Sequence, residues 1–201
     1  MSERRPYRLG KRQASVDQTR RRILLAAVAE YEKNGIDDTT MLAVARRADV
    51  ASGTVLYHYP ESEALADAVV NMWIEEAELP DPPEVRDDLA LPQKADLLVS
   101  TVFEMYDEDH PAANIYLRNP QHPAMSKLQR FWEERLDEVV SSSLGTHLQE
   151  ADKPLVMAII GGQFLSNLAR RGIPENELQE TVSRLITAWI TSQPTNPHTN
   201  G

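Results

Sequence analysis

The sequence predicts an all-α protein, and three observations carry that prediction. Apolar residues recur at three- and four-residue spacing through most of the chain, and proline and glycine punctuate the periodic segments. No segment alternates apolar and polar residues as a half-buried strand does, and no internal repeat appears. The 201 residues suffice for one large or two modest domains with a buried core.

Residues 1–14 are basic, contain Pro6 and Gly10 and lack periodicity, so they read as a mobile arm. Ser15 and Gln18 form a capping box for a first helix. Ile23, Leu24, Ala27, Val28 and Tyr31 then repeat at helical spacing up to a stop at Gly35. Thr39 or Thr40 caps a short second helix through Ala48. Asp49-Val50-Ala51 makes a turn, and a third helix runs from about Ser52 to Tyr59, where Pro60 stops it. A fourth begins near Ser62 and aligns Leu65, Val69, Met72 and Trp73 along one side. The cluster Leu79-Pro80-Asp81-Pro82-Pro83 ends it and is the best candidate domain boundary.

A fifth helix spans Gln93 to Tyr106, a short sixth follows Pro111, and the loop Asn119–Pro123 interrupts next. The seventh carries Leu128, Phe131, Trp132, Leu136 and Val139. Asp152 caps an eighth, with Pro154 tolerated in its first turn and Arg170-Arg171-Gly172 closing it. A ninth opens after Pro174 with Leu178, Val182, Leu185, Ile186, Trp189 and Ile190 on one stripe. The expected organisation is an arm (1–14), a three-helix domain (15–61), a connecting helix (62–79), a larger helical domain (80–192) and a disordered tail (193–201).

Composition excludes several chemistries. Without cysteine there is no disulfide framework, thiolate metal site or catalytic thiol. The longest apolar run, from Leu155 to Ile160 and the glycines after it, is far too short for a bilayer, and no apolar secretory segment follows the basic start. A soluble cytoplasmic protein without a membrane partner is expected. The five histidines make neither an HxxxH pair nor a Glu-x-x-His motif, and Asp107-Glu108-Asp109-His110 reads as a solvated acidic face. No glycine-rich phosphate loop and no Gly-x-Ser-x-Gly elbow occur, so no catalytic residue, metal or cofactor is assigned.

The net charge of −10 argues at first against a nucleic-acid partner, but its distribution reverses that impression. Residues 1–60 carry 11 Lys and Arg against 7 Asp and Glu, whereas residues 61–201 carry 10 against 24. A basic first third joined to an acidic remainder is the asymmetry of a chain that meets phosphate at one end.

The second and third helices have the spacing of a helix-turn-helix, which places one helix in the major groove of DNA. Ala43, Val44, Ala48, Val50 and Val55 are small or branched, so two short helices can pack at a steep angle. The polar side of the third then offers Ser52, Thr54, Tyr57 and His58 to base edges or phosphates. Gly53 lets the backbone approach the duplex, and Thr40 can bond a phosphate. Tyr59 reads as core packing against the fourth helix.

Residues from about Arg20 to Val70 resemble the N-terminal domain of the TetR family of bacterial transcriptional regulators. The likeness rests on Ile23 to Gly35, Thr39-Thr40, Val44-Ala45, Ala48, Val50, Gly53-Thr54, Tyr57-His58-Tyr59 and Leu65. It implies DNA contacts at Thr40, Ser52, Thr54, Tyr57 and His58, with a phosphate contact from Arg20. Three positions depart from the pattern. Asp49 replaces the usual turn glycine, Leu56 a tyrosine, and Ser62 a lysine, so two customary phosphate contacts are missing. Aspartate tolerates left-handed backbone, which preserves the turn, and the basic arm can compensate for the lost contacts.

The resemblance also implies a two-fold homodimer joined through the eighth and ninth helices, at Ile160, Phe164, Leu168, Val182, Ile186 and Trp189. Such a dimer sets two recognition helices about 34–36 Å apart on a pseudopalindromic operator. For a small-molecule effector, Trp73, Phe103, Tyr106, Phe131 and Trp132 are candidate pocket residues, with Gln163 and Asn167 as polar anchors. The resulting expectation is a ligand-released repressor. Its rival is a helical ligand-binding or protein-interaction module that has lost specific DNA binding.

Overall fold

A computed structural model describes residues 5–84, 88–105, 110–169 and 171–193. In chain order the helices are α1 (Arg5–Asn34), α2 (Met41–Arg47), α3 (Ser52–His58), α4 (Ser62–Glu76), α5 (Leu91–Met105), α6 (Pro111–Arg118), α7 (Pro123–Leu144), α8 (Lys153–Ile160), α9 (Gly162–Ala169) and α10 (Glu175–Ser192). A single 3₁₀ turn, Gly145–His147, follows α7, and no strand occurs among the described residues. The all-α expectation is met.

Two compact units emerge. The first comprises residues 1–77 with 109–129, the second residues 78–108 with 130–201. The units divide after residue 77, and α6 and the start of α7 fall in the N-terminal unit.

In the first unit, α1 packs on α2, α4 and α6. Ile23, Ala27 and Tyr31 of α1, Leu65, Val69 and Val70 of α4, and Ile115 of α6 are all buried. Burial pushes the Tyr31 hydroxyl well above its ordinary pKa, with the nearby Glu63 charge adding to the effect. Asn119 ties α6 to the turn after α1. Its Oδ1 accepts from the Ile36 N–H at 3.0 Å, its Nδ2 donates to the Ile115 carbonyl at 2.8 Å, and Arg118 donates to the Lys33 carbonyl.

Helix α1 starts about ten residues earlier than the sequence predicts. Arg5 to Ala14, read as an arm, continue the helix, and Ser15 lies inside it with its carbonyl accepting from the Thr19 hydroxyl. One internal glycine costs a helix about 1 kcal/mol, which the roughly seven helical turns after Gly10 can offset. Residues 1–4 lie outside the described residues, as does the tail from Pro194.

In the second unit α5 packs along α10. Leu98 and Val102 join Val139, Val140 and Leu144 of α7, Val156 and Ile160 of α8, Leu165 of α9, and Val182 and Ile186 of α10 in one core. Ser183 donates to Asp96 beside it. Arg135 holds the proline segment by donating to the Pro80 carbonyl, and Ser142 does the same to Pro83 at 2.7 Å. The expected eighth helix is broken into α8 and α9, because Gly161 is extended (φ −64°, ψ 142°). A Cβ there would stand 3.1 Å from the Met157 carbonyl oxygen.

Candidate nucleic-acid interface

Thr40 is the N-cap of α2 and accepts from the Ala43 N–H at 3.2 Å. Thr39, the alternative cap, turns back to donate to the Gly35 carbonyl. Three residues of the unit then fix the angle between α2 and α3. Val44, Ala48 and Val55 are buried between the helices, while Ala43 and Val50 are half-buried. The turn itself is a Schellman motif: Val50 N–H reaches the Ala45 carbonyl at 3.1 Å and Asp49 N–H the Arg46 carbonyl at 3.3 Å. That motif requires left-handed backbone at Asp49, whose φ is +52°. The expectation that aspartate would keep the turn is met.

An ion pair staples α2 to α1. Arg47 Nε donates to Glu30 Oε1, and Asn34 donates to the other oxygen at 3.0 Å. The Arg47 hydrogen bond holds the buried Glu30 carboxyl below its usual range against the opposing cost of desolvation. At the start of α4, Glu63 is likewise lowered, by its own backbone N–H and then by Ser62, the residue that stands in place of lysine.

Val55, with no exposed surface, sets the rotation of α3. At about 100° per residue, Gly53 and Tyr57 lie about 160–200° away and face outward, with Leu56 beside them. Exposure agrees: Tyr57 is 82% exposed and Leu56 47%, and a Cβ on Gly53 would have no neighbour within 4 Å. Ser52, Thr54 and His58 are half-buried on the flanks. His58 contacts the Tyr57 ring edge-on. Tyr59 is buried, as expected of a core residue. Arg20, Arg21, Arg22, Arg46 and Arg47 are exposed on the same unit, with Arg21 paired to Glu76 and Arg47 to Glu30. Leu56 on α3 and Leu42 and Arg46 on α2 are exposed as well, and the sequence pattern does not single them out for DNA contact. The outward phase of Leu56 follows from Val55 being the buried residue of α3, a packing role that the sequence already indicates.

The candidate effector residues divide between the two units. Trp73 is buried in the first unit, edge-on to His110. Phe103 and Trp132 pack on the core of the second, and Phe131 meets Trp132 edge-on. Asn167 is exposed. Tyr106 and the Gln163 side chain lie outside the described residues.

The candidate dimer residues divide into two groups. Ile160, Val182 and Ile186 are consumed in the core of their own unit, so they are not surface contacts. A stripe on α10 is wide enough to serve both core and surface, and the sequence does not say which edge turns inward. Phe164 at 36% and Trp189 at 37% exposure remain on the surface with Leu155 and Leu185, and Leu168 is half-buried. Among the described residues no helix is long and apolar enough to cross a membrane.

Residues 23–69 match the family of bacterial regulatory proteins named for TetR. No curated protein sequence matches the chain. Among solved structures it resembles a TetR-family member from Streptomyces coelicolor A3 at 22% identity, over 83% of this chain and 97% of that one, with a TM-score of 0.58. A transcriptional regulator from Rhodococcus sp. Rha1 gives 19%, 85%, 95% and 0.61. The multidrug binding protein EbrR, solved with imidazole, gives 20%, 89%, 93% and 0.59. The N-terminal segment thus matches the TetR-family domain, and the chain as a whole resembles TetR-family structures in fold.

Proposed function

We propose that the chain is a sequence-specific transcriptional repressor that acts as a homodimer and leaves its operator when a small molecule binds. One observation carries the DNA-reading part: α3 is held by a left-handed turn and a buried Val55 so that Gly53, Leu56 and Tyr57 face outward on a unit bearing exposed arginines. That arrangement suits a short helix lying in the major groove while Thr40, Ser52, Thr54, His58 and Arg20 reach phosphates or base edges. The exposed apolar side chains of Leu155, Phe164, Leu185 and Trp189 support self-association through α8 to α10. EbrR, described as a multidrug binding protein and solved with imidazole, supports a small-molecule effector. The effector must prefer the released conformation, since a ligand that binds both states equally shifts nothing. A pivot of α4 that changes the half-site distance is the proposed link.

Selection of bound sites from random double-stranded DNA at two salt concentrations tests the reading. Enrichment of a two-fold symmetric site is expected, with Tyr57→Ala weakening specific binding about tenfold or more while dimerisation persists. Salt-sensitive, sequence-blind binding would instead favour the module that has lost specific recognition. Operator affinity that ignores every small molecule bound by the protein would sink the ligand-release step.

A further inference from the structure

We propose that Leu56 reads the C5-methyl group of thymine, so that each operator half-site contains a thymine recognised by shape and not by hydrogen bonding. The assignment rests on the DNA-binding reading above. The outward surface of α3 consists of Gly53, Leu56 and Tyr57, three residues at i, i+3 and i+4. Of these, Tyr57 alone carries a polar side-chain atom. An isolated exposed leucine is ordinary, but this one stands on a unit that also exposes Arg20, Arg22 and Arg46, whose charge complements a polyanion.

In the major groove, the thymine methyl is the one base-edge feature that an aliphatic side chain recognises favourably. Leucine is shorter than the arginine, lysine or glutamine used for polar readout, so it requires close approach of the helix. Gly53 supplies it. It lies one turn before Leu56, is exposed, and leaves open space where a side chain would otherwise stand. The residue that cannot hydrogen-bond a phosphate therefore gains a different role: it contributes specificity in place of affinity.

The experiment uses the full chain and the sites enriched from random DNA. Each thymine of the half-site is replaced in turn by deoxyuridine, which removes the methyl and leaves the hydrogen-bonding edge intact. Binding is measured by fluorescence anisotropy for the native chain and for Leu56→Ala, with circular dichroism to establish that the variant is folded. One position per half-site should weaken native binding about fourfold, the value of one buried methyl. Leu56→Ala should bind the thymine and deoxyuridine sites equally within about twofold, while keeping its response to changes elsewhere in the site.

Failure has distinct forms. A half-site without thymine, or native binding that is indifferent to every deoxyuridine, overturns methyl reading while DNA binding stands. Full methyl sensitivity retained in Leu56→Ala overturns the assignment to this residue. No enriched site at all overturns the DNA-binding reading, and this inference with it.

Discussion

Replacing Asn119 with alanine tests the account of how α6 holds the N-terminal unit. Its Oδ1 is the partner of the Ile36 amide at 3.0 Å, and Ile36 is buried. Alanine leaves that donor without a partner, which costs about 1–3 kcal/mol. The second bond, to the Ile115 carbonyl, matters less, because that carbonyl also accepts from the Asn119 backbone N–H. The expected loss is about 2 kcal/mol, or roughly 4–8 °C in Tm for a chain of this size. Gly35 supplies a second handle. Its φ of +86° makes alanine costly by about 1 kcal/mol or more, and an added Cβ would stand 3.3 Å from Asn119 Oδ1. Removing Asn119 relieves the crowding and not the backbone strain. The double variant should therefore be more stable than the sum of the single effects implies, by about 0.5–1 kcal/mol. Urea unfolding followed by circular dichroism measures the cycle, and hydrogen exchange at the Ile36 amide reports the site directly. An Asn119→Ala chain within about 0.5 kcal/mol of the native one, with the Ile36 amide still protected, would refute the reasoning.

Three further outcomes are expected. Asp49→Gly should preserve stability or raise it by up to about 1 kcal/mol, whereas Asp49→Val should lower it by about 2, because a β-branched residue resists left-handed backbone; equal melting temperatures would contradict the turn. Glu30 has a lowered pKa in the folded chain, so its stabilisation is present above the ordinary value of 4.5 and is lost as pH falls through the lower, folded value. Glu30→Gln should flatten the acid limb of the urea midpoint against pH, and an unchanged slope would remove the Arg47 pair as its cause. Phe164→Ser with Trp189→Ser should raise the dimer dissociation constant at least tenfold in sedimentation equilibrium without unfolding the chain, since each residue loses about 1–2 kcal/mol of interfacial burial.

Much of the N-terminal unit was legible because its signals are local. Thr40, Gly35, Pro60 and the Asp49 turn each act through backbone conformation within a few residues, and each lies where the sequence indicates. Helix starts without a strong stop signal were less legible. The periodicity of α1 is weak before Ser15, since its first turns have little to bury, yet the helix extends to Arg5. Gly161 and Gly162 interrupt an apolar helical stretch, and in a sequence a packing glycine and a helix break share the same residues.

The sequence by itself determined the all-α class, the helix-turn-helix and its turn, and the charge asymmetry that directs attention to the first third of the chain. These follow from side-chain period, capping chemistry and composition, which need no partner elsewhere in the chain. The tertiary structure decided which edge of each stripe is buried. It assigned Ile160, Val182 and Ile186 to a core, left Phe164 and Trp189 on the surface, and joined α6 to the N-terminal unit through Asn119. Such choices depend on contacts between residues far apart in the chain, and a helical pattern gives the spacing of a stripe without the direction from which its partner arrives.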